Sequence, residues 1–244
     1  TEIRYSYRMK TKPLTFLLAL TFLFLFSGSS VVFADDWKVL KDGRDAYNRQ
    51  DYKTAYKLWL PLAEQGNAFA QSLLGAMYEE GAGVPQDYKT AIKWHRLAAE
   101  QGHALSQSNL GFMYQNGHGV LQNYKEAVKW YRLSAEQGYA NAQFNLGRMY
   151  YKGQGVPQDY KEAVKWYRLS AEQGIDRAQF KLGLMYYNGQ EVPQDYALAH
   201  MWWNLSGSNG YKDAVKNRNI VEKKMTPQQI EKAQELARNW KPKK

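Results

Sequence analysis

The sequence predicts an all-α solenoid built from stacked helical hairpins, and three observations predict it. The fifteen residues YKEAVKWYRLSAEQG occur at Tyr124–Gly138 and again, unchanged, at Tyr160–Gly174. Four separate ladders share that 36-residue step: Glu-Gln-Gly ends at Gly66, Gly102, Gly138 and Gly174; Leu-Gly pairs at Gly75, Gly111, Gly147 and Gly183; Met-Tyr pairs beginning at Met77, Met113, Met149 and Met185; and Trp94, Trp130, Trp166 and Trp202. Interlocked spacing of this length is the signature of a structural repeat. Finally, the chain has no cysteine, so neither disulfides nor thiolate metal sites can hold it together, and apolar packing must.

The elements follow in chain order. Residues 1–8 precede Met9, which reads as a start, so they read as an upstream, non-native extension. Lys10 and Lys12 lead into the uncharged run Leu14–Phe26, and Val32-Phe33-Ala34 suits a cut after Ala34. Residues 9–34 therefore have the three-part layout of a cleavable secretory signal peptide. The run is short for a span, which needs about 20 apolar residues; an uncleaved anchor is the alternative. Residues 35–66 form a first hairpin with a shortened loop, since Tyr47 and Tyr52 are five apart where Tyr78 and Tyr88 are ten apart.

Residues 67–209 hold four units of two helices each. In Ala140–Lys152, helix A, Ala142, Leu146, Met149 and Tyr150 make one apolar stripe. Gly153 and Gly155 end it. Asp159 caps helix B with Glu162 three residues on, and Asn123 with Glu126 repeats that capping-box spacing. Ala163, Trp166, Tyr167 and Ser170 are the inner stripe of helix B. A glycine inside helix A costs up to about 1 kcal/mol against alanine, so Gly147 and its equivalents imply a close helix approach, with the matching Trp as the facing plate. The departures are Leu121 for the turn proline and Glu191 for the second loop glycine, where the turn is expected to change shape. Residues 210–244 add capping helices, the second opening on Thr226-Pro227-Gln228-Gln229, and a basic Lys-Pro-Lys-Lys tail.

The unit LGRMYYKGQGVPQDYKEAVKWYRLSAEQG resembles the Sel1-like repeat, a relative of the tetratricopeptide repeat, over four copies. The resemblance implies a right-handed α/α solenoid of Sel1-like, tetratricopeptide-like hairpins. It also implies a non-enzymatic adapter whose A helices line a concave groove. Between copies, the varying A-helix positions are 69, 73, 76 and 80 and their equivalents, which share a helix face. They read Phe69, Leu73, Ala76, Glu80; then Leu105, Asn109, Phe112, Asn116; then Asn141, Asn145, Arg148, Lys152; then Arg177, Lys181, Leu184, Asn188. The groove is thus expected to be apolar at its N-terminal end and basic toward Arg148, Lys152, Arg177 and Lys181, suiting a protein or peptide partner with an acidic stretch. Tyr151, Tyr187, Phe144 and Phe180 beside it read as packing between units.

The net charge of +10 is spread along helices rather than blocked. Export argues against nucleic acid; an anionic glycan or membrane surface is the alternative partner. No enzyme constellation is present. His95 and His103 stand where other copies have Tyr131 and Tyr139, and neither these nor His118 and His200 have zinc spacing. The serines lack a nucleophile elbow, and no Gly-x-Gly follows a strand. No cofactor and no metal are expected. Some exported, disulfide-rich Sel1-like proteins are reported to bind or hydrolyse penicillin-type compounds; this chain has none of their cysteines, so that β-lactamase-like activity is not carried over. The expectation is a monomeric binding protein, periplasmic or secreted.

Overall fold

The computed structural model describes residues 35–243. The leader and the first eight residues lie outside the described residues. Within them the chain forms twelve α-helices and no strand: α1 (35–48), α2 (Tyr52–Glu64), α3 (Ala68–Glu80), α4 (Tyr88–Glu100), α5 (Ala104–Asn116), α6 (Tyr124–Glu136), α7 (Ala140–Lys152), α8 (Tyr160–Glu172), α9 (Asp176–Asn188), α10 (Tyr196–Ser208), α11 (Lys212–Glu222) and α12 (Pro227–Asn239). Each helix from α2 to α10 packs on the next, so the hairpins stack in chain order. Among the described residues no helix is long and apolar enough to cross a membrane.

The helix ends are local chemistry. Asp87, Asn123, Asp159 and Asp195 each accept a hydrogen bond from a backbone N–H in the first turn of the B helix that each precedes. The A helices end on a left-handed residue, as at Gly153 with φ 66°. The expected capping boxes at Asn123 and Asp159 are only half formed. Asp159 accepts from the Glu162 amide, but the Glu162 carboxylate turns away to accept from Trp166 Nε1 at 3.1 Å. The reciprocal box forms at Thr226 and Gln229.

The glycine ladder makes the predicted close approach, but its partner is not the Trp ladder. A Cβ on Gly75, Gly111, Gly147 or Gly183 would stand 2.6–2.9 Å from the ring of His95, Tyr131, Tyr167 or Trp203, the residue after each Trp. The physical reason is angular: one helical position, about 100°, separates the two faces of helix B. The Trp residues serve the other face. Trp130 shares a buried cluster with Ala91 and Ile92 of α4 and Leu110 and Met113 of α5. Trp166 does the same with Val128 and Leu146, and Trp202 with Val164 and Leu182. Glycine–ring contacts therefore close each hairpin, and indoles join it to the hairpin before.

Buried polar groups form a third ladder. Gln71, Gln107, Gln143 and Gln179 donate to the carbonyls of Ala63, Ala99, Ala135 and Ala171 at 3.0–3.2 Å. Gln101, Gln137 and Gln173 donate in turn to the first three of these glutamines at 2.7–2.9 Å. Ser134, Ser170 and Ser206 donate to carbonyls 30 residues earlier.

The fourth loop keeps its shape despite Glu191. Gln190 N–H donates to the Met185 carbonyl and Asp195 N–H to the Tyr186 carbonyl, as Gln154 and Asp159 do one unit earlier. Glu191 is held left-handed at φ 56°. Two backbone hydrogen bonds outweigh the conformational preference of one residue.

Candidate functional site

The varying A-helix positions come together in groups. At the N-terminal end Phe69 meets His103 edge-on, with centroids 4.9 Å apart. Phe69, Leu73 and Leu105 line a cavity of about 240 Å³ together with Trp37, Leu40, Arg44, Ser72 and His103. Trp37 and Phe69 are 60% and 58% exposed, so this is an open apolar surface. Trp37 was not among the expected site residues, because it precedes the repeats and has no equivalents to compare. Phe112 packs edge-on against His118 at 5.5 Å and stays 42% exposed. Asn109, Asn141 and Asn145 are half-buried along the middle of the face.

The C-terminal end is basic and crowded. Arg148 donates through Nη2 to Gln115 Oε1 at 2.9 Å, and the Tyr131 hydroxyl donates to the same oxygen at 3.0 Å. Arg148 Nε and the Tyr167 hydroxyl are buried without a partner. Burial, then Lys152 and Arg148, hold the Lys181 ammonium below the usual lysine pKa. Lys181 Nζ lies 6.0 Å from the Tyr151 ring centroid, and the Arg177 guanidinium 5.0 Å from that of Phe144. None of Arg148, Lys152, Arg177 and Lys181 makes an ion pair among the described residues. Four cations thus share one face without a carboxylate to offset them.

Leu184 stands apart from these groups. It lines a cavity of about 210 Å³ at the junction with α11, with Tyr187, Asn188, Trp203, Asn217 and Ile220. The aromatic pairs beside the face pack: Phe144 is buried against Tyr167, with centroids 5.7 Å apart, and Phe180 lies against Tyr211 at 4.9 Å. Tyr151 lies against Tyr160, and Tyr187 against Tyr196 and Trp203. Buried His95 sits 3.5 Å from Glu79, and His200 Nε2 lies 2.6 Å from Glu222. Among the described residues no group of three or more His, Asp or Glu could hold a metal ion.

Comparison with known proteins places the repeat. The Sel1 repeat family model matches residues 42–67, 68–103, 104–139, 140–175 and 176–211, so the N-terminal hairpin is counted with the other four. The crystal structure of a Sel1 repeat protein from Oxalobacter formigenes is 38% identical, covers 72% of each chain and superposes with a TM-score of 0.66. A sel1 repeat protein from Klebsiella pneumoniae subsp. pneumoniae shares the fold at 20% identity, covering 77% of this chain and 93% of its own, with a TM-score of 0.52. No curated protein matches.

Proposed function

Because the chain belongs to the Sel1 repeat family, we propose that it is a non-enzymatic adapter of a bacterial cell envelope that holds a peptide or protein segment along its A-helix face. Sel1 repeat proteins generally mediate protein–protein interaction, and the repeat scaffold is generally non-catalytic. The partner presents an acidic stretch to the third and fourth units and an apolar residue to the first and second. One observation carries this reading: Arg148, Lys152, Arg177 and Lys181 lie on one face with no ion pair among the described residues. Their mutual repulsion is relieved when carboxylates bind. The open cleft around Phe69 and Leu105 supplies the apolar end. Export through residues 9–34, to the periplasm or beyond, is part of the same proposal and rests on the leader layout.

Co-purification from envelope extracts under mild cross-linking identifies the partner. The chain carrying R148E, R177E and K181E together is expected to lose it while retaining its helical circular dichroism. Unchanged recovery of that partner by the folded triple variant would sink the groove reading. The surplus of 33 basic over 23 acidic residues favours a second reading, an anionic glycan or membrane surface. Binding to anionic vesicles that disappears at raised salt distinguishes it.

A further inference from the structure

The last repeat breaks its own rule where it meets the terminal helices. Position 200 corresponds, in steps of 36, to Ile92, Val128 and Val164. Those aliphatic residues are buried and share clusters with Trp130, Trp166 and Trp202 of the next unit along. Here the residue is His200, which is only 1% exposed. The same count places Arg218 at the position of the fully buried Leu74, Leu110, Leu146 and Leu182, and Glu222 at that of Tyr186. Two positions that are aliphatic in the body of the solenoid are ionisable at this joint, and at the third a carboxylate replaces a tyrosine whose hydroxyl accepts from an arginine in three other units.

Together they line a cleft of about 330 Å³ between α10, α11 and α12, with Asn204, Gln234 and Arg238. Its parts are set in place. His200 Nε2 and Glu222 Oε1 are 2.6 Å apart. Arg218 donates to Asn204 Oδ1 at 2.9 Å and to Asn219 Oδ1 at 3.0 Å. Glu222 lies 3.8 Å from Arg218 Nε as well, so the single carboxylate is shared between two partners. Arg238 has no hydrogen-bond or ion-pair partner among the described residues, and His200 Nδ1 is buried without one. A terminal cap needs polar residues where it faces water. That accounts for Arg218 and Glu222, but not for a histidine buried where valine closes the other units. A buried unpartnered nitrogen is costly, and an aliphatic residue would close the joint without it.

We infer that this cleft is a second binding site, separate from the A-helix face, for a small polar molecule bearing one oxyanion group, a carboxylate or a phosphate. Arg238 takes the oxyanion, with Arg218 held beside it by its two asparagines. The Gln234 and Asn204 amides face the polar remainder. His200, fixed by Glu222, forms the floor. The volume suits a single sugar-sized molecule, at the lower end of the 300–1,000 Å³ common for ligand pockets.

Titration of the full chain with glucuronate, glucose 6-phosphate and glucose, followed by melting temperature and calorimetry, tests this. At least one anion is expected to raise the melting temperature and neutral glucose to leave it unchanged; the tighter anion distinguishes carboxylate from phosphate. R238Q, at an exposed position, is expected to weaken that binding about tenfold or more. H200V, the residue of two other units, is expected to fold and also to bind more weakly. Failure of both anions to bind at millimolar concentration, equal binding of glucose, or unchanged affinity in either folded variant would overturn the site. None of these outcomes bears on the charge-reversal test of the A-helix face.

Discussion

Two single residues interrupt otherwise regular ladders, and each gives a stability prediction. Gln179 is the one ladder glutamine whose Oε1 is buried without a partner among the described residues. In the earlier units the partner is a glutamine 30 residues on, as Gln173 is for Gln143. The corresponding position here is Asn209, one methylene shorter. N209Q is expected to restore the bond and raise unfolding free energy by about 1 kcal/mol, read from urea denaturation. Glu191 is the other exception. At Gly155, its equivalent, a Cβ would stand 2.2 Å from the Tyr124 carbonyl oxygen, and Glu191 carries that Cβ at φ 56°. A left-handed L-residue costs roughly 1–2 kcal/mol, partly offset by the extra freedom of glycine in the unfolded chain. E191G is therefore expected to stabilise by about 0.5–1 kcal/mol in the same measurement; a destabilised variant would show that the loop is unstrained.

At the scale of the helix pair, Gly147 tests which face does what. Replacing it with alanine improves helix propensity by up to about 1 kcal/mol. The new methyl would lie 2.9 Å from the Tyr167 ring and 3.3 Å from the Ala163 carbonyl oxygen. Overpacking of that kind costs about 1–3 kcal/mol, so G147A is expected to be a net destabiliser by up to roughly 2 kcal/mol. Much of the pair was legible beforehand. The stripe of Ala142, Leu146 and Met149, the helix bounds of α7, and the buried Ala163, Trp166, Tyr167 and Ser170 follow from spacing alone, because period and burial are linked. The partner of Gly147 was not legible. Trp166 and Tyr167 are both large and adjacent, and spacing does not say which ring turns inward to the hairpin. The glutamine ladder was equally hidden, since glutamine reads as a surface residue until its partners are known. On the A-helix face, spacing identified Arg148, Lys152 and Lys181 as neighbours. It placed Leu184 with them although α11 covers that end. In the sequence His200 is notable only as lacking zinc spacing, and its role emerges when its burial and its aliphatic equivalents are set side by side.

Over the whole molecule, stability is divided between two kinds of contact. Gly75, Gly111, Gly147 and Gly183 close hairpins internally, whereas Trp130, Trp166 and Trp202 join each hairpin to the one before. The two middle units present nearly the same surface to the next hairpin in the stack: Ala127 and Val128 on α6 are matched by Ala163 and Val164 on α8. Removing residues 140–175 would thus set Trp202 of α10 against Val128 in place of Val164, with the indole seam preserved. The shortened chain is expected to remain helical and to unfold cooperatively. It loses one hairpin and one interface, so it should melt at a lower temperature than the parent. Its urea m-value should fall by roughly a sixth, in proportion to the surface no longer buried. What decides the outcome is whether the 36-residue register is kept, not where the cuts fall. Removing residues 158–193 takes the same number of residues and keeps the 36-residue register, so it should behave like the first deletion. Removing only residues 160–174 leaves α7 without the Tyr167 ring over Gly147, and without the Ala163 and Val164 surface that receives Trp202. That chain should lose far more stability despite being longer. If the shorter deletion were the milder of the two, the hairpins would not be the cooperative units, and the separation between glycine contacts within them and indole contacts between them would fail.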